Sequence, residues 1–124
     1  VLKFAEAAII NSGTASLEAA IIGTPQVVCW STSGATYFIA RHILRVGDHI
    51  KFISLGNLCI GRQAFRELIQ DGSSAENILA ELERLVFDDT CRESMKADYA
   101  ALRDVMGEPG AAERVALEMM SLLK

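Results

Sequence analysis

The order of apolar and polar positions predicts a βαβ unit in the first 30 residues. The apolar run 7–10 leads into a small polar turn, and a helical pattern follows over residues 15–22. Gly23 and Pro25 are typical of a helix end, because glycine adopts the left-handed cap and proline cannot continue the helix. The continuous apolar run 26–30 is typical of a strand buried on both faces. This order indicates a parallel sheet with a right-handed crossover.

The rest of the pattern predicts mostly helix. A helix is expected over residues 35–44, a short alternating strand over 49–55 and a glycine-bracketed loop over 56–62. Four more helices are predicted over residues 63–70, 73–87, 90–106 and 111–123. Two of them open on capping boxes, Ser73 with Glu76 and Thr90 with Glu93. In the last helix, the Met119–Met120 pair is assigned to the core.

This balance predicts an α/β fold that is only part of a larger sheet. About three strands, crowded into the first half, would bury little surface by themselves. The simplest explanation is a partial Rossmann-like parallel sheet with flanking helices and a helix-rich C-terminal part. The chain also opens on Val1, without an initiator methionine or a signal-type start. We therefore expect a piece of a longer protein.

Composition limits the classes of function. The 124 residues are 51% hydrophobic and contain only 2 prolines, which excludes a disordered or fibrous chain. No apolar run approaches the roughly 18 residues that span a bilayer. A net charge of −4 argues against nucleic acid as a partner. The three cysteines are far apart, which disfavours a disulfide framework or a zinc site and fits a reducing cytoplasm. No metal-ligand cluster stands out.

The strongest local signal for a ligand lies where the first strand meets the first helix. Ser12, Gly13 and Thr14 occupy the carboxyl edge of the predicted sheet, the usual ligand position in open α/β folds. Free amides and the helix dipole favour an anion there, and Gly13 lets a phosphate approach the backbone. Glu18 follows on the same helix face, where it could accept from sugar hydroxyls. The alternative is an ordinary N-cap with Glu18 on a solvated face.

A second candidate is the loop 56–62, in which Asn57 and Arg62 are polar residues among apolar ones. Arg62 could pair with a phosphate and Asn57 could bind a sugar or the main chain. The alternative is a loop tied down by the asparagine, with a solvated arginine. Cys91 is expected in the first turn of a helix, a position that can lower a thiol pKa, but no base is visible near it.

In their order along the chain, these motifs resemble bacterial lipid-A-disaccharide synthase, a glycosyltransferase of the two-Rossmann-domain (GT-B) type. The matching segments run from about Ala7 to Gln70, and the helical tail is compatible but unspecific. They are Ser-Gly-Thr-Ala-x-Leu-Glu at 12–18, Pro-x-Val-Val at 25–28, Ala-Arg at 40–41, Ile-Ser-Leu-x-Asn-Leu at 53–58, Gly-Arg at 61–62 and Glu-Leu-x-Gln at 67–70. The first motif is shared with other nucleotide-sugar transferases, whereas the last three in this order are more particular.

The resemblance implies that the chain transfers no sugar alone. Residues 1–124 would form one domain, a fragment of the C-terminal UDP-sugar-binding domain, with a βαβ unit and donor-site loops at 1–62 and a helical part at 63–124. The parent would move diacylglucosamine from UDP onto diacylglucosamine 1-phosphate, forming lipid A disaccharide and UDP. Its acceptor site and general base would lie in a missing N-terminal domain. No cofactor is implied, and the parent would be peripheral to the cytoplasmic face of the Gram-negative inner membrane.

The resemblance also implies roles for individual residues. The diphosphate would be held by Ser12, Gly13 and Thr14, and the ribose hydroxyls by Glu18. The cleft would be lined by further candidates: Asn57, Gly61, Arg62, Glu67 and Gln70. Of these, Asn57 is also a possible catalytic group.

The chain departs from the family pattern at three points. Gly56 replaces the usual proline, which would loosen the loop before Asn57; Trp30 replaces the usual tyrosine; and the chain is acidic where the family is often more basic. Two alternatives stay open: the donor half of another UDP-sugar enzyme, such as an N-acetylglucosaminyltransferase or an epimerase, and a non-enzymatic helical interaction domain. The exposed edge of a truncated sheet would favour a homodimer.

Overall fold

The structure is a computed structural model that describes residues 1–11, 13–34 and 51–123. Within these residues lie three β-strands, five α-helices and two short 3₁₀ turns. The strands are β1 (Ala8–Asn11), β2 (Gln26–Trp30) and β3 (Glu67–Ile69). The helices are α1 (Thr14–Ile22), α2 (Leu55–Ile60), α3 (Ala75–Phe87), α4 (Asp89–Met106) and α5 (Ala111–Leu122). The 3₁₀ turns are Leu2–Phe4 and Gln70–Gly72.

The three strands form one parallel sheet in the order β1-β2-β3. Asn11 pairs with Cys29 across the first ladder, and Trp30 pairs with Ile69 across the second. The predicted βαβ unit and the α/β class with a partial parallel sheet are therefore confirmed. Because the strands are parallel, the loops that leave their carboxyl ends meet at one edge, which we call the carboxyl edge.

The core lies between the sheet and the helices. Helices α1, α2 and α4 pack on one another, and α3 packs on β2 and α4. Among the described residues, the buried apolar side chains form one cluster of Ile10, Ala19, Ala20, Val27, Val28, Ala64, Phe65, Leu68, Leu85, Met95, Tyr99 and Leu102. Local sequence alone could not have joined these positions, since the cluster combines residues as far apart along the chain as Ile10 and Leu102.

Helix α4 holds the amino end of β2 and the carboxyl end of α1. The Tyr99 hydroxyl donates to the Thr24 carbonyl (3.0 Å), just before β2, and the Gln26 amide N–H lies 3.4 Å from the Met95 sulfur. The Arg103 guanidinium donates to the Ile21 carbonyl (2.7 Å) and so satisfies part of the carboxyl end of α1. Helix α4 therefore lies at the amino edge of the sheet, opposite the carboxyl edge.

Three predicted elements are wrong in the middle of the chain. Residues 51–54 form no strand and residues 55–60 form α2, where a strand and then a loop are predicted. Residues 67–69 form β3, where a helix is predicted. The Glu-Leu-Ile-Gln segment has helical propensity, but its pairing with β2 outweighs that local preference. The helix predicted over 35–44 and positions 49–50 lie outside the described residues.

The helical tail follows the predicted order, but its caps differ. The N-cap of α3 is Ser74, whose hydroxyl accepts from the Asn77 amide (3.2 Å), because Ser73 belongs to the turn that closes on Gln70. The N-cap of α4 is Asp88, whose carboxylate accepts from the Cys91 amide (3.1 Å), instead of Thr90. An extended backbone lets each cap residue turn its oxygen toward the first helical turn.

Helix α5 buries none of its residues in this chain. Met119 and Met120 are 63% and 65% exposed, so their assignment to the core is wrong for the chain as described. The apolar spacing of α5 predicts a helix correctly, but spacing cannot show whether a partner surface is present. No helix in the described parts has both the length and the apolar character needed to cross a bilayer.

Candidate functional site

The amino end of α1 is built on a glycine that no other residue replaces easily. Gly13 is the N-cap of α1 with φ of 112°, a conformation that L side chains rarely adopt. Its carbonyl accepts from the Ser16 hydroxyl (2.8 Å) and from the Ser16 amide (3.3 Å). The Ser16 side chain is fully buried, so this first turn is fixed from the inside.

The outer side of the same turn is open. A Cβ placed on Gly13 would meet no atom within 4 Å, and the Thr14 and Glu18 side chains are exposed on one face of α1. Because glycine has no side chain, the N-cap residue itself does not occupy the first-turn amides. No acidic residue in the first turn opposes an anion there. Ser12, the remaining member of the motif, lies outside the described residues.

Gln70 brings the loop after β2 to the same edge. Its side-chain carbonyl accepts from the Thr32 amide (2.7 Å), and its side-chain NH₂ donates to the Thr32 carbonyl (3.2 Å). Gln70 has φ of 53°, and a left-handed backbone at a non-glycine residue costs roughly 1–2 kcal/mol. The predicted candidate Gln70 is therefore at the carboxyl edge, with its amide committed to the chain.

Asn57 lies inside the molecule. It is fully buried in α2, and its side-chain NH₂ donates to the Phe65 carbonyl and the Glu67 carboxylate, both at 2.9 Å. Its side-chain oxygen accepts from the amides of Ala64 (2.8 Å) and Phe65 (3.3 Å). These bonds hold the segment before β3 against α2. A contact of Asn57 with substrate, or a catalytic role, stays a prediction that would require this network to open.

Glu67 organises the start of α2. Its carboxylate accepts from the amides of Ile53 (2.8 Å) and Ser54 (3.1 Å), from the Ser54 hydroxyl (2.6 Å) and from Asn57. A carboxylate close to the amides at a helix amino end also interacts favourably with the helix dipole. Glu67 thus links β3 to the residues that enter α2.

Gly61 and Arg62 lie after α2, on the side of α4. Gly61 ends α2 in the left-handed conformation, with φ of 67°. The Arg62 Nε and Nη2 atoms lie 2.8 and 2.6 Å from one carboxylate oxygen of Asp98. Asp98 precedes Tyr99, the residue that bonds to the chain just before β2. A contact of Arg62 with a donor phosphate stays a prediction, and it would require the ion pair with Asp98 to open.

The structure therefore divides the predicted site residues into two groups. Gly13, Thr14, Glu18 and Gln70 belong to the carboxyl edge or the helix that starts there, whereas Asn57, Gly61, Arg62 and Glu67 surround α2 and the amino end of β3. Sequence reasoning missed Thr32, whose backbone is held at the carboxyl edge. The available signal was its position in the loop after a parallel strand, two residues beyond the end of β2.

A second polar cluster lies at the amino edge, around Glu81 of α3. Glu81 is buried, and its carboxylate bonds to Arg84 and lies 3.5 Å from Arg66. The hydrogen bond to Glu81 raises the pKa of Arg84. Beside Arg84, burial raises the pKa of the Cys91 thiol, although a position in the first turn of a helix can lower a thiol pKa. Arg66, Arg84 and Cys91 line part of a cavity of about 250 Å³.

Comparison with known proteins identifies the family. A family model described as lipid-A-disaccharide synthetase matches residues 1–116. The chain belongs to this family. Curated relatives named lipid-A-disaccharide synthase include proteins of Syntrophus aciditrophicus (38% identical over 97% of this chain), Geobacter sulfurreducens (36% over 99%) and Myxococcus xanthus (38% over 99%).

The match covers only part of these relatives. The chain spans 30% of the length of the Syntrophus aciditrophicus protein and 31% of the other two. The family match itself confirms the resemblance to lipid-A-disaccharide synthase that the sequence motifs predict. The reaction that the relatives' names describe belongs to proteins about three times as long.

Proposed function

We propose that this chain is the donor-nucleotide-binding half of a lipid-A-disaccharide synthase. The complete enzyme would transfer 2,3-diacylglucosamine from its UDP carrier to 2,3-diacylglucosamine 1-phosphate and release UDP. One observation carries the proposal: the open amino end of α1, with Gly13 at positive φ, stands at the carboxyl edge of a parallel sheet. Family membership supports a nucleotide sugar of this kind as the donor.

Each group at this edge has a chemical role in the proposal. The first-turn amides of α1, with the hydroxyls of Ser12 and Thr14, would bind the diphosphate, and Gly13 would let it approach the backbone. Glu18, one turn further along, would accept hydrogen bonds from the ribose hydroxyls. The hydrogen bonds described above support framework roles for Asn57, Glu67 and Gln70, which hold α2 and the neighbouring loops in place.

In the proposed reaction, the donor-nucleotide-binding half stabilises the leaving group. Negative charge grows on the diphosphate as the sugar departs, and oriented amides at a helix end stabilise such charge without reorganising. No described residue of this chain is proposed as the general base. That group, and the pocket for the lipid acceptor, would come from the remainder of the enzyme at the cytoplasmic face of the inner membrane. The 124 residues alone would therefore be inactive.

A homodimer remains part of the proposal. In the described residues, one side of β1 carries no neighbouring strand, and Ile9 on that strand is 53% exposed. A second copy or an exchanged element would cover such an edge. Light scattering at high protein concentration tests this, and a monodisperse monomer would contradict it.

Calorimetric titration of UDP tests the nucleotide site. The wild type is compared with Glu18→Ala and with Glu113→Ala, a matched control because Glu113 is also exposed but lies on α5. We expect Glu18→Ala to weaken UDP binding by about tenfold, the effect of one well-made charged hydrogen bond, and the control to have no effect. Equal affinities in all three proteins would exclude Glu18 from the site.

The titration is performed both on the 124-residue chain and on the full-length enzyme. Binding only by the full-length enzyme would show that the remainder supplies essential contacts. If neither folded protein binds UDP, the amino end of α1 is an ordinary helix start and the proposal is wrong.

A further inference from the structure

The Gln70 side chain makes the hydrogen bonds that a further residue of β3 would make to the chain after β2. The β2–β3 ladder ends at the pair Trp30 and Ile69, where β3 leaves the sheet for a 3₁₀ turn. Beyond that point, the Gln70 carboxamide binds both the N–H and the C=O of Thr32, at 2.7 and 3.2 Å. A carboxamide has the donor and acceptor of a peptide group, so the ladder continues through a side chain.

The backbone conformation of Gln70 indicates that this contact is specific. Gln70 is the non-glycine residue with positive φ in the described part of the chain, at 53°. Such conformations are unfavourable for residues with a Cβ and persist where surrounding contacts impose them. The two bonds to Thr32 are contacts of that kind, and they lie at the edge of the sheet where ligands bind in this class of fold.

The position of Thr32 connects this contact with the proposed nucleotide site. β2 is the central strand of the three, and the loop that leaves it stands between the loops that follow β1 and β3. The loop after β1 contains Gly13 and opens α1. Fixing the Thr32 backbone therefore fixes part of the loop that follows the strand next to β1, on the same edge of the sheet as the amino end of α1.

We propose that Gln70 is a positioning residue for the nucleotide site. It acts through the Thr32 backbone, which it holds in the conformation that admits the nucleotide, and it does not contact the nucleotide itself. This inference rests on the proposed UDP site and adds Thr32 to it. Preorganising a loop strengthens binding because the ordering cost is already met before the ligand arrives.

The test combines UDP affinity with amide exchange at Thr32 in the full-length enzyme. Four proteins are compared: the wild type, Gln70→Ala, Gln70→Glu and Gln63→Ala, the last being a matched control because Gln63 is exposed on another segment. We expect Gln70→Ala to weaken UDP binding about tenfold and to speed Thr32 exchange by at least about tenfold. Gln70→Glu keeps the acceptor for the Thr32 amide but loses the donor to the Thr32 carbonyl. Its UDP affinity and its Thr32 exchange rate should therefore lie between those of the wild type and those of Gln70→Ala.

The outcomes separate the two proposals. Weaker UDP binding with unchanged Thr32 exchange would mean that Gln70 contacts the nucleotide directly, which overturns the positioning role. Faster Thr32 exchange with unchanged affinity would also overturn it, because the contact would then matter only for local structure. If the wild type fails to bind UDP, the proposed function is wrong, and the positioning role, which depends on it, is wrong as well. Only the joint change, absent in Gln63→Ala, supports the inference.

Discussion

The carboxylate of Glu67 binds Ser54 twice, through the backbone amide at 3.1 Å and through the hydroxyl at 2.6 Å. Ser54 is the N-cap of α2, yet its own side chain caps nothing in that helix. The capping charge comes instead from β3, thirteen residues further along the chain. This long-range cap joins the start of a helix to the third strand of the sheet.

Replacing Glu67 by glutamine should destabilise the fold. The carboxamide turns one acceptor oxygen into an NH₂ group that faces donors, so the bonds from Ile53, Ser54 and Asn57 are not all kept. We expect the free energy of unfolding to fall by about 2 kcal/mol in urea denaturation at pH 7. Glu83→Gln, an exposed substitution on α3, is the control and should change it by less than about 0.5 kcal/mol. Equal effects of the two variants would contradict the capping role.

Gly56 is matched to the ring of Phe65. Gly56 lies within α2 and is buried, so the expectation of a loosened loop before Asn57 is wrong. A Cβ at this position would lie 2.6 Å from Cζ and 2.9 Å from Cε1 of Phe65. We therefore expect Gly56→Ala to lower the free energy of unfolding by about 1–3 kcal/mol.

A double-mutant cycle tests this contact. Phe65→Leu removes the ring atoms that the new methyl would meet, so the double variant should lose less stability than the sum of the single variants. Gly72→Ala is the control, since its Cβ would meet no atom within 4 Å. Strict additivity of Gly56→Ala and Phe65→Leu would show that another contact causes the loss.

The ion pair between Arg62 and Asp98 should contribute little to stability. The two side chains are 55% and 20% exposed, and exposed ion pairs typically contribute less than about 1 kcal/mol because water and salt screen them. A double-mutant cycle with Arg62→Gln and Asp98→Asn in urea, at low and high salt, measures the coupling. We expect a coupling below about 1 kcal/mol that decreases with salt. A larger, salt-independent coupling would indicate that the pair is effectively buried.

Tyr99 should make stability depend on alkaline pH. Burial raises the pKa of Tyr99 above its ordinary value of 10.0, because the ionised phenolate would be poorly solvated inside the core. The neutral hydroxyl donates to the Thr24 carbonyl. In the unfolded chain the hydroxyl ionises near its ordinary pKa, whereas in the folded chain it does not. The stabilisation is therefore fully present below pH 10 and is lost as the pH rises above it.

Comparison with Tyr99→Phe isolates this effect. At pH 7 the free energy of unfolding of the variant should be lower by about 1–2 kcal/mol, because Thr24 and Gln26 lose a buried hydrogen-bond partner. The difference in free energy of unfolding between wild type and variant should decrease as the pH rises from about 9 to about 11, because only the wild type has the Tyr99 hydroxyl that ionises. Denaturation at several pH values measures it, and a constant gap would contradict the raised pKa.

Local sequence determined the first βαβ unit and the three helices of the tail. These elements are long or clearly bounded: glycine and proline end α1, a continuous apolar run forms β2, and polar caps precede α3 and α4. The same local signals predict the candidate site at Gly13, Thr14 and Glu18, because a glycine between a strand and a helix marks the carboxyl edge of a parallel sheet. In the helical tail, however, the predicted N-caps of α3 and α4 were wrong by one and two positions.

Only the tertiary structure decided the middle of the chain and the roles of its polar residues. β3 has three residues, and its Glu-Leu-Ile sequence forms a strand because β2 offers unpaired hydrogen-bonding groups beside it. Ser54, a partner of Glu67, lies 13 residues away, and Thr32, the partner of Gln70, lies 38 residues away, so no local pattern could reveal these contacts. Short segments carry too little intrinsic preference to fix their own conformation, and long-range hydrogen bonds and burial then determine it.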